Sequence, residues 1–300
     1  MRFYNNQHKY YCGIDLHTRK MYVCIIDEKG EIKEHRNMKT DRDAFLRAIA
    51  PFREDIVVAV ECIFTWYWVA DLCHNEGIPF VLGHALYMKA IHGGKAKNDK
   101  IDSHKIAALL RGGMIPMSYV YPEKMRATRD LMRRRNHLMR KRSELYAHIQ
   151  NTNSQYNLPD SFGCLSVPKN RNGIIEQFEH PSVQESITAD MEMIRSYDAI
   201  LSQLEKSIIN MAIHHDPVSY TLLQTIPGVG KIIALIILYE VENIRRFASV
   251  QDFASYSRLV KCAKESNPLH VSVTFGIQAD QQFTVQINLV AARRIRHLSL

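Results

Sequence analysis

Four acidic residues stand where an α/β domain can gather carboxylates for metal-dependent chemistry. Asp15 and Glu61 each follow an apolar run typical of a buried strand, whereas Asp99 and Asp102 are three residues apart at the opening of a predicted helix. That spacing places both carboxylates on one helix face. Clustered carboxylates bind hard cations such as Mg²⁺, and two such ions hold the attacking and leaving oxygens of a phosphodiester. The four acids therefore predict metal-dependent phosphodiester chemistry.

Each acid also has an ordinary structural explanation. An aspartate at a strand end is commonly a turn or capping residue, and the helix dipole favours Asp99 and Asp102 near a helix N-terminus. Glu61 is costly to bury alone, but pairing with a lysine would satisfy it. The metal-site interpretation is favoured because acids recur at strand ends and at a helix start within one α/β unit.

The elements that would position these acids alternate between strands and helices over residues 8–118. The pattern favours an antiparallel meander of three strands, followed by a continuous apolar strand buried on both faces. An α/β sheet with covering helices is expected. The predicted strands are 10–14, 20–27, a third ending at Lys39, 56–61 and 80–84, and the helices are 41–50 with Thr40 as its cap, 64–75 closed by Gly77, 85–91 and 102–111.

A long basic helix is predicted over residues 123–157. Between Lys124 and Arg142 it carries nine Lys or Arg residues against one Asp, so salt bridges between successive turns cannot neutralise the run. A solvated helix face is one interpretation, and a surface that follows nucleic-acid phosphates is the favoured one. The candidate nucleic-acid-binding residues of this helix are Arg126, Arg129, Arg133, Arg134, Arg135, Arg140, Lys141 and Arg142.

A second long helix is predicted over residues 183–214, after a loop region at 151–182 that is rich in proline, glycine and asparagine. The two long helices are suited to pair as an antiparallel coiled coil. Residues 119–216 are therefore interpreted as coiled-coil and linker helices.

Residues 217–300 are predicted to form a helical C-terminal domain. Its tetrapeptide 227–230, Pro-Gly-Val-Gly, separates two apolar helical segments. Gly228 and Gly230 allow a sharp turn and a close approach to a phosphate, and the following helix start and Lys231 would bind that phosphate. A helix-hairpin-helix is therefore a candidate, with a plain helix–helix turn as the alternative.

Charge and composition agree with a nucleic-acid partner. The 300 residues carry a net charge of +8, which favours a polyanionic ligand. No apolar run reaches the 18 residues typical of a membrane span, and the polar N-terminus does not resemble a signal peptide. The six cysteines contain no CxxC pair, so reduced thiols in a cytoplasmic protein are expected.

Four motifs occur in the order found in one known family. They are GIDLHT at 13–18, VECIFTWYWVADLC at 60–73, KNDKIDSHKIAALL at 97–110 and TIPGVGKIIALIILYEV at 225–241. From about residue 10 to about residue 266, the chain resembles the DEDD-motif insertion-sequence transposases, the bridge-RNA-guided recombinases of insertion-sequence family one-ten.

The resemblance implies an RNase H/RuvC-like N-terminal domain whose four acids coordinate Mg²⁺. Matched motif by motif, those acids are Asp15, Glu61, Asp99 and Asp102. It also implies DNA cleavage and strand exchange, a coiled coil that supports a dimer or tetramer, and a structured guide RNA that selects both DNA sites. The expected location is the cytoplasm of a bacterium or archaeon, in association with the nucleoid.

The C-terminal tail departs from the family pattern at about residue 267. The resemblance implies a nucleophilic serine in this region, for which Ser266 is the nearest match and Ser272 a weaker candidate. A change of reading frame or genuine divergence would explain the departure. The tail is expected to pack loosely, and the chain to bind nucleic acid while recombining poorly.

Two other functions remain as alternatives. A non-catalytic nucleic-acid-binding remnant of such a transposase requires only the basic helix and the hairpin. An ATPase of the actin-like fold would also begin with a strand and a loop like GIDLHT. That fold requires a second glycine-rich phosphate loop and a glycine-rich adenosine site, and the sequence contains neither.

Overall fold

The computed structural model describes residues 2–91, 98–159, 163–257, 270–277 and 281–288. The chain divides into two units, of which the first comprises residues 1–123 and the second begins at Lys124. The first unit thus ends a few residues beyond the predicted limit of the N-terminal domain. Among the helices of the described residues, none is both long and apolar enough to cross a membrane.

Five strands of the first unit form one mixed sheet in the order β3-β2-β1-β4-β5. The first three strands are antiparallel neighbours, and β4 and β5 extend the sheet in parallel from β1. This is the arrangement expected of an RNase H-like domain, and it contains the predicted meander. The strands are β1 (Tyr10–Leu16), β2 (Lys20–Asp27), β3 (Ile32–Lys39), β4 (Ile56–Glu61) and β5 (Phe80–Gly83).

Helices cover both faces of this sheet, which explains why β4 reads as a continuous apolar run. Val58 and Val60 face one cluster with Phe45 and Val69, whereas Val57 faces another with Ile106. Alternate residues of a strand point to opposite faces, so a strand covered on both sides is apolar throughout. The helices are α1 (Arg42–Ile49), α2 (Tyr67–Asn75), α3 (Ala85–Ile91) and α4 (Asp99–Arg111).

Three predicted helix starts of the first unit differ from the structure, and one of them is that of α4, which begins at Asp99 rather than at Asp102. The cap of α1 is Asp41, whose side chain accepts a hydrogen bond from the backbone of Ala44, rather than Thr40. The hydroxyl of Thr40 instead donates to the carbonyl of His17. The second helix begins at Tyr67 rather than at residue 64, because residues 62–65 form a loop at the end of β4.

Two long helices of the second unit, α5 (Glu123–Gln155) and α6 (Pro181–His215), run antiparallel. Ion pairs join Arg135 to Glu205 and Arg142 to Asp198, and a hydrogen bond joins His148 to Asp190. From one pair to the next, the residue number rises along α5 and falls along α6, so the two helices are antiparallel.

Three shorter helices follow α6, namely α7 (Pro217–Gln224), α8 (Lys231–Val241) and α9 (Val250–Tyr256). Leu235 and Tyr239 of α8 are fully buried, in a cluster that also contains Ile208 of α6 and Met132 of α5. The apolar hairpin of the sequence is therefore the core of this part of the unit.

The described part of the tail consists of β6 (His270–Ile277) and β7 (Gln281–Asn288), which pair in a two-stranded sheet of their own. The prediction of a loosely packed tail concerns side chains outside the described residues.

Candidate active site

The sheet places Asp15 and Glu61 at the same edge. The strands β1 and β4 are parallel, and the last pair in register is Ile14 with Val60. Asp15 and Glu61 are the next residues of these neighbouring strands. Ile14 and Val60 point to one face of the sheet. Because side chains alternate along a strand, Asp15 and Glu61 point to the opposite face, which α4 covers.

A glycine in β1 lets α4 lie against the strand. A β-carbon at Gly13 would lie 2.3 Å from the backbone nitrogen of Ala107 and 2.4 Å from the carbonyl oxygen of Ser103. Only glycine leaves room for this contact, since real β-carbons do not approach backbone atoms so closely. Gly13 is two residues before Asp15 on the same face, so this packing brings the N-terminus of α4 towards Asp15.

Two further contacts hold the start of α4. The Asn98 side chain caps the helix by accepting a hydrogen bond from the backbone of Lys100. His35 of β3 lies with its Nε2 2.9 Å from the carbonyl oxygen of Lys100 and 3.3 Å from the hydroxyl of Ser103. These contacts position the first turn of α4, which carries Asp99 and Asp102.

The structure brings Asp15 and Asp99 together around His17. The imidazole Nε2 of His17 lies 3.4 Å from Asp15 Oδ2 and 3.6 Å from Asp99 Oδ1. Potential ligand atoms of these three residues all lie within 4.8 Å of one another. His17 was not among the residues predicted from the sequence, although its position two residues after Asp15 places it on the same side of the chain.

Glu61 and Asp102 stand outside this group of three. Asp102 Oδ1 lies 3.2 Å from the ammonium of Lys105, one turn further along α4. Glu61 is half-buried at the end of β4. Of the four predicted acids, the structure thus joins two directly, and the four-acid site stays a prediction.

The electrostatics of Asp15 suit a bound cation. Burial raises the pKa of the Asp15 carboxyl, His17 lowers it, and the negative charges of Asp99 and Asp102 raise it further. The ionised form is therefore disfavoured by desolvation and by like charges. A divalent cation would remove both penalties, and carboxylate oxygens are its preferred ligands.

Two threonines fix the chain beside Asp15. Thr40, at the end of β3, donates its hydroxyl to the carbonyl oxygen of His17 at 2.8 Å. Thr65, in the loop after β4, donates to the carbonyl oxygen of Leu16 at 3.3 Å. The segment that carries Asp15 and His17 is thus held from both sides.

Several arginines of α5 have partners on other helices. The carboxylate of Glu240 in α8 accepts from Arg129, with oxygen and nitrogen 2.9 Å apart, and from Arg133 at 2.8 Å. Arg135 pairs with Glu205 and Arg142 with Asp198. The basic run is therefore partly neutralised by tertiary contacts, which the charges along a single helix do not predict.

The basic residues of α5 consequently differ in their access to a ligand. Arg126 and Arg129 are buried, Arg140 is half-buried, and Arg134 and Lys141 are exposed. A phosphate cannot reach a buried guanidinium without a rearrangement. Of these five, the last two present the most accessible positive charge.

The turn between α7 and α8 has a backbone that a ligand could approach closely. Gly228 has a φ of +86°, a backbone conformation that favours glycine. Gly230 is the N-cap of α8, and Lys231 is exposed at its first position. The candidate nucleophile Ser266 lies outside the described residues, and Ser272 lies within β6.

Comparisons with known families match two separate parts of the chain. A family model described as a DEDD transposase, of the IS110 type, matches residues 12–157. A second, described as the transposase IS116/IS110/IS902 family, matches residues 220–273. Together they cover two thirds of the chain in the expected order, and the second match extends beyond Ser266. A search of curated proteins found no match.

Proposed function

This chain belongs to the IS110 family of insertion-sequence transposases, and on that premise we propose that Asp15, Glu61, Asp99 and Asp102 form its Mg²⁺-dependent DNA-cleaving centre. The chain is a DNA transposase, and transposases of the DEDD type use a divalent metal. The observation that carries the assignment is the convergence of Asp15, His17 and Asp99 at the sheet edge.

The donor set fits a hard divalent cation. The carboxylates of Asp15 and Asp99 would hold it, with Asp102 and Glu61 completing the oxygen ligands. When bound, the metal polarises the scissile phosphate and stabilises the charge that develops on its oxygens. Asp15 is held in position by the packing of α4 on Gly13 and by the threonine contacts to residues 16 and 17.

A serine nucleophile is part of the same proposal and rests on the family resemblance. The hydroxyl oxygen of Ser266 would attack phosphorus and form a protein–DNA phosphodiester, while a DNA oxygen leaves and takes up a proton. Ser272 is the second candidate. Both residues lie inside the segment matched by the C-terminal family model.

Nucleic-acid binding is proposed for the second unit. Arg134 and Lys141 of α5 would contact phosphates, as would the turn with Gly228, Gly230 and Lys231, interpreted as a helix-hairpin-helix. The antiparallel pair α5 and α6 is proposed to act as a coiled coil in a dimer or tetramer. A structured guide RNA and a cytoplasmic, nucleoid-associated location remain proposals from the resemblance.

The test is metal-dependent cleavage of a supercoiled plasmid that carries the ends of the element, in the presence of its RNA. Asp15→Asn removes one charge with little change in shape, so we expect cleavage to be lost. Asp43→Asn, on the exposed side of α1, is the matched control and should cleave like the natural chain. Full activity of Asp15→Asn would contradict the assignment.

A non-catalytic nucleic-acid-binding remnant is the second candidate. The observation that favours it is the end of the family match at residue 273, which leaves residues 274–300 outside. In that case the natural chain would bind the plasmid and the RNA but would not cleave with Mg²⁺ present.

A further inference from the structure

The loop after β4 carries an aromatic side chain that the fold leaves in solvent. Phe64 is 81% exposed, although it is followed closely by three aromatic residues that pack inward. Trp66 is buried, and Tyr67 and Trp68 are partly buried against the same core cluster. The phenyl ring of Phe64 therefore contributes little to the stability of the fold.

This exposed ring stands at the sheet edge of the candidate active site. Phe64 is three residues after Glu61, and its neighbour Thr65 is hydrogen-bonded to the carbonyl oxygen of Leu16. Leu16 directly follows Asp15 on β1. The loop that presents Phe64 is thus attached to the segment that carries the carboxylates.

An open groove of about 430 Å³ adjoins the loop. Its lining includes His17, Thr18, Asp41, Arg42, Thr65 and Trp68. The carboxylate of Asp41, which caps α1, accepts a hydrogen bond from the backbone of Ala44, and the Arg42 guanidinium supplies positive charge.

In the first groove the charge of Arg42 is offset by that of Asp41, whereas a second groove of about 380 Å³, lined in part by Arg19, Lys20 and Lys39, is basic. Thr65, the neighbour of Phe64, lines the first groove, so the exposed ring stands next to hydroxyl groups and cationic side chains, a combination suited to a nucleic-acid strand. An apolar protein partner would require an apolar surround. Bases stack on aromatic side chains whatever their sequence, while a basic groove follows the backbone.

We propose that Phe64 stacks on a base of the DNA strand held at the carboxylate site, with Arg42 binding a neighbouring phosphate. This inference rests on the proposed function, because it takes the strand at the carboxylates to be the DNA that is cleaved. The stacked base would fix the strand without reading its sequence, and the scissile phosphate would be positioned from the side of β4.

The experiment measures dissociation constants of the full chain for a fluorescein-labelled single-stranded DNA of mixed sequence, by anisotropy in Ca²⁺ buffer at several salt concentrations. Phe64→Ala should weaken binding about tenfold with an unchanged salt slope, because no phosphate contact is lost. Phe64→Tyr should restore binding, since it retains the ring. Arg42→Gln should flatten the salt slope by about 0.7 units, the value for one phosphate of a single strand.

The matched control is Ile32→Ala. Ile32 is 51% exposed and lies at the opposite end of the sheet, where it pairs with Ile26. It should bind like the natural chain. Equal binding by Phe64→Ala and Ile32→Ala would overturn the inference, as would a loss in Phe64→Ala that Phe64→Tyr does not restore.

This outcome is separable from a failure of the proposed function. If Asp15→Asn loses cleavage while Phe64→Ala binds normally, the active site stands and the stacking role falls. If Asp15→Asn still cleaves, the carboxylate assignment falls whatever Phe64 does.

Discussion

Asp15 illustrates how a residue of the proposed active site is placed at the expense of stability. Its side chain is 16% exposed, and burial together with Asp99 and Asp102 raises its pKa. The folded state therefore holds this proton more tightly than the unfolded chain. As pH rises from the ordinary carboxyl pKa through the raised one, the unfolded state ionises first and stability falls.

The first prediction is that Asp15→Asn stabilises the metal-free protein at neutral pH. The amide keeps the shape and removes a repelled charge, so we expect a gain of about 0.5–2 kcal/mol in the free energy of unfolding. The gain should disappear at pH values below the ordinary aspartate pKa, where both states are protonated. Urea unfolding at several pH values measures this gain, and the control Asp43→Asn should have the same free energy of unfolding as the natural chain.

The same variant tests metal binding. A ligand that binds the folded state alone raises its stability, so Mg²⁺ should raise the melting temperature of the natural chain and of Asp43→Asn. Asp15→Asn should respond weakly or not at all. A full Mg²⁺ response in Asp15→Asn would remove Asp15 from the metal site.

Gly13 gives the second prediction at the scale of single residues. A β-carbon there meets the backbone of α4 at 2.3 Å, and neither the strand nor the helix can yield by rotating a side chain. Gly13→Ala should cost about 1–3 kcal/mol and weaken the Mg²⁺ response, because the first turn of α4 moves away from Asp15. Gly230→Ala, where no atom lies within 4 Å of an added β-carbon, should change stability by about 1 kcal/mol or less.

The sequence predicts where the candidate site residues lie in the fold better than it predicts which residues they contact. Asp15 and Glu61 follow apolar strands, and their register at one edge agrees with the prediction. The role of His17 between Asp15 and Asp99 depends on where α4 crosses the sheet. That crossing is determined by the close contact at Gly13, which no periodicity reveals.

At the scale of elements, the helix α5 combines two kinds of arginine that the sequence presents as one run. Arg129 and Arg133 share Glu240, which is 3% exposed. The third prediction is that Glu240→Gln lowers the free energy of unfolding by about 3–5 kcal/mol, because it removes the buried negative charge that faces the guanidinium groups of Arg129 and Arg133. Thermal or urea unfolding measures this loss. Glu144→Gln, at an exposed pair with Lys141, should cost about 1 kcal/mol or less.

The fourth prediction concerns Arg134, an exposed member of the run. Arg134→Gln should leave stability within about 0.5 kcal/mol and should weaken nucleic-acid binding for every sequence alike. With duplex DNA, the salt slope should flatten by roughly 0.9 units for one lost phosphate contact. Arg135→Gln, by contrast, should destabilise the fold, because Arg135 joins α5 to Glu205 of α6. A loss of binding for one sequence alone would mean that Arg134 reads bases.

The bounds of α5 and α6 follow closely from their patterns, since the predicted 123–157 and 183–214 compare with Glu123–Gln155 and Pro181–His215. Their surface chemistry does not follow in the same way. The acids of α6 and α8 that pair with α5 lie between 42 and 111 residues away in the sequence. A count of charges along one helix therefore overestimates the charge available to a ligand.

At the scale of the whole molecule, the antiparallel meander and the helix cover of the first unit were predictable, because they follow from short-range patterns in the sequence. A meander of three strands and a doubly buried fourth strand leave few ways to complete the sheet. The α4 crossing and the ion pairs of the second unit are long-range, and they decide which residues are available for function.

The last prediction concerns the tail, where this chain leaves its family. The C-terminal family match ends at residue 273, so the segment with Ser266 is matched but the following 274–300 are not. A serine nucleophile has to be held near the scissile phosphate and the metal, and small displacements cost large factors in rate. We therefore expect the natural chain to bind nucleic acid, to cleave it slowly and to recombine poorly.

A recombination assay on a donor and target plasmid pair, with the RNA present, compares the natural chain with a chimera that carries a family-like tail after Ser266. The chimera should recombine well, and its Asp15→Asn version should not, because a restored tail cannot replace the carboxylate site. Ser266→Ala in the chimera tests whether Ser266 is the nucleophile or only supports the fold. A nucleophile is expected to lose the covalent DNA adduct on substitution while DNA binding is retained. Robust recombination by the natural chain would mean that its tail is functional divergence, and the metal site would then act with a serine held in a different way.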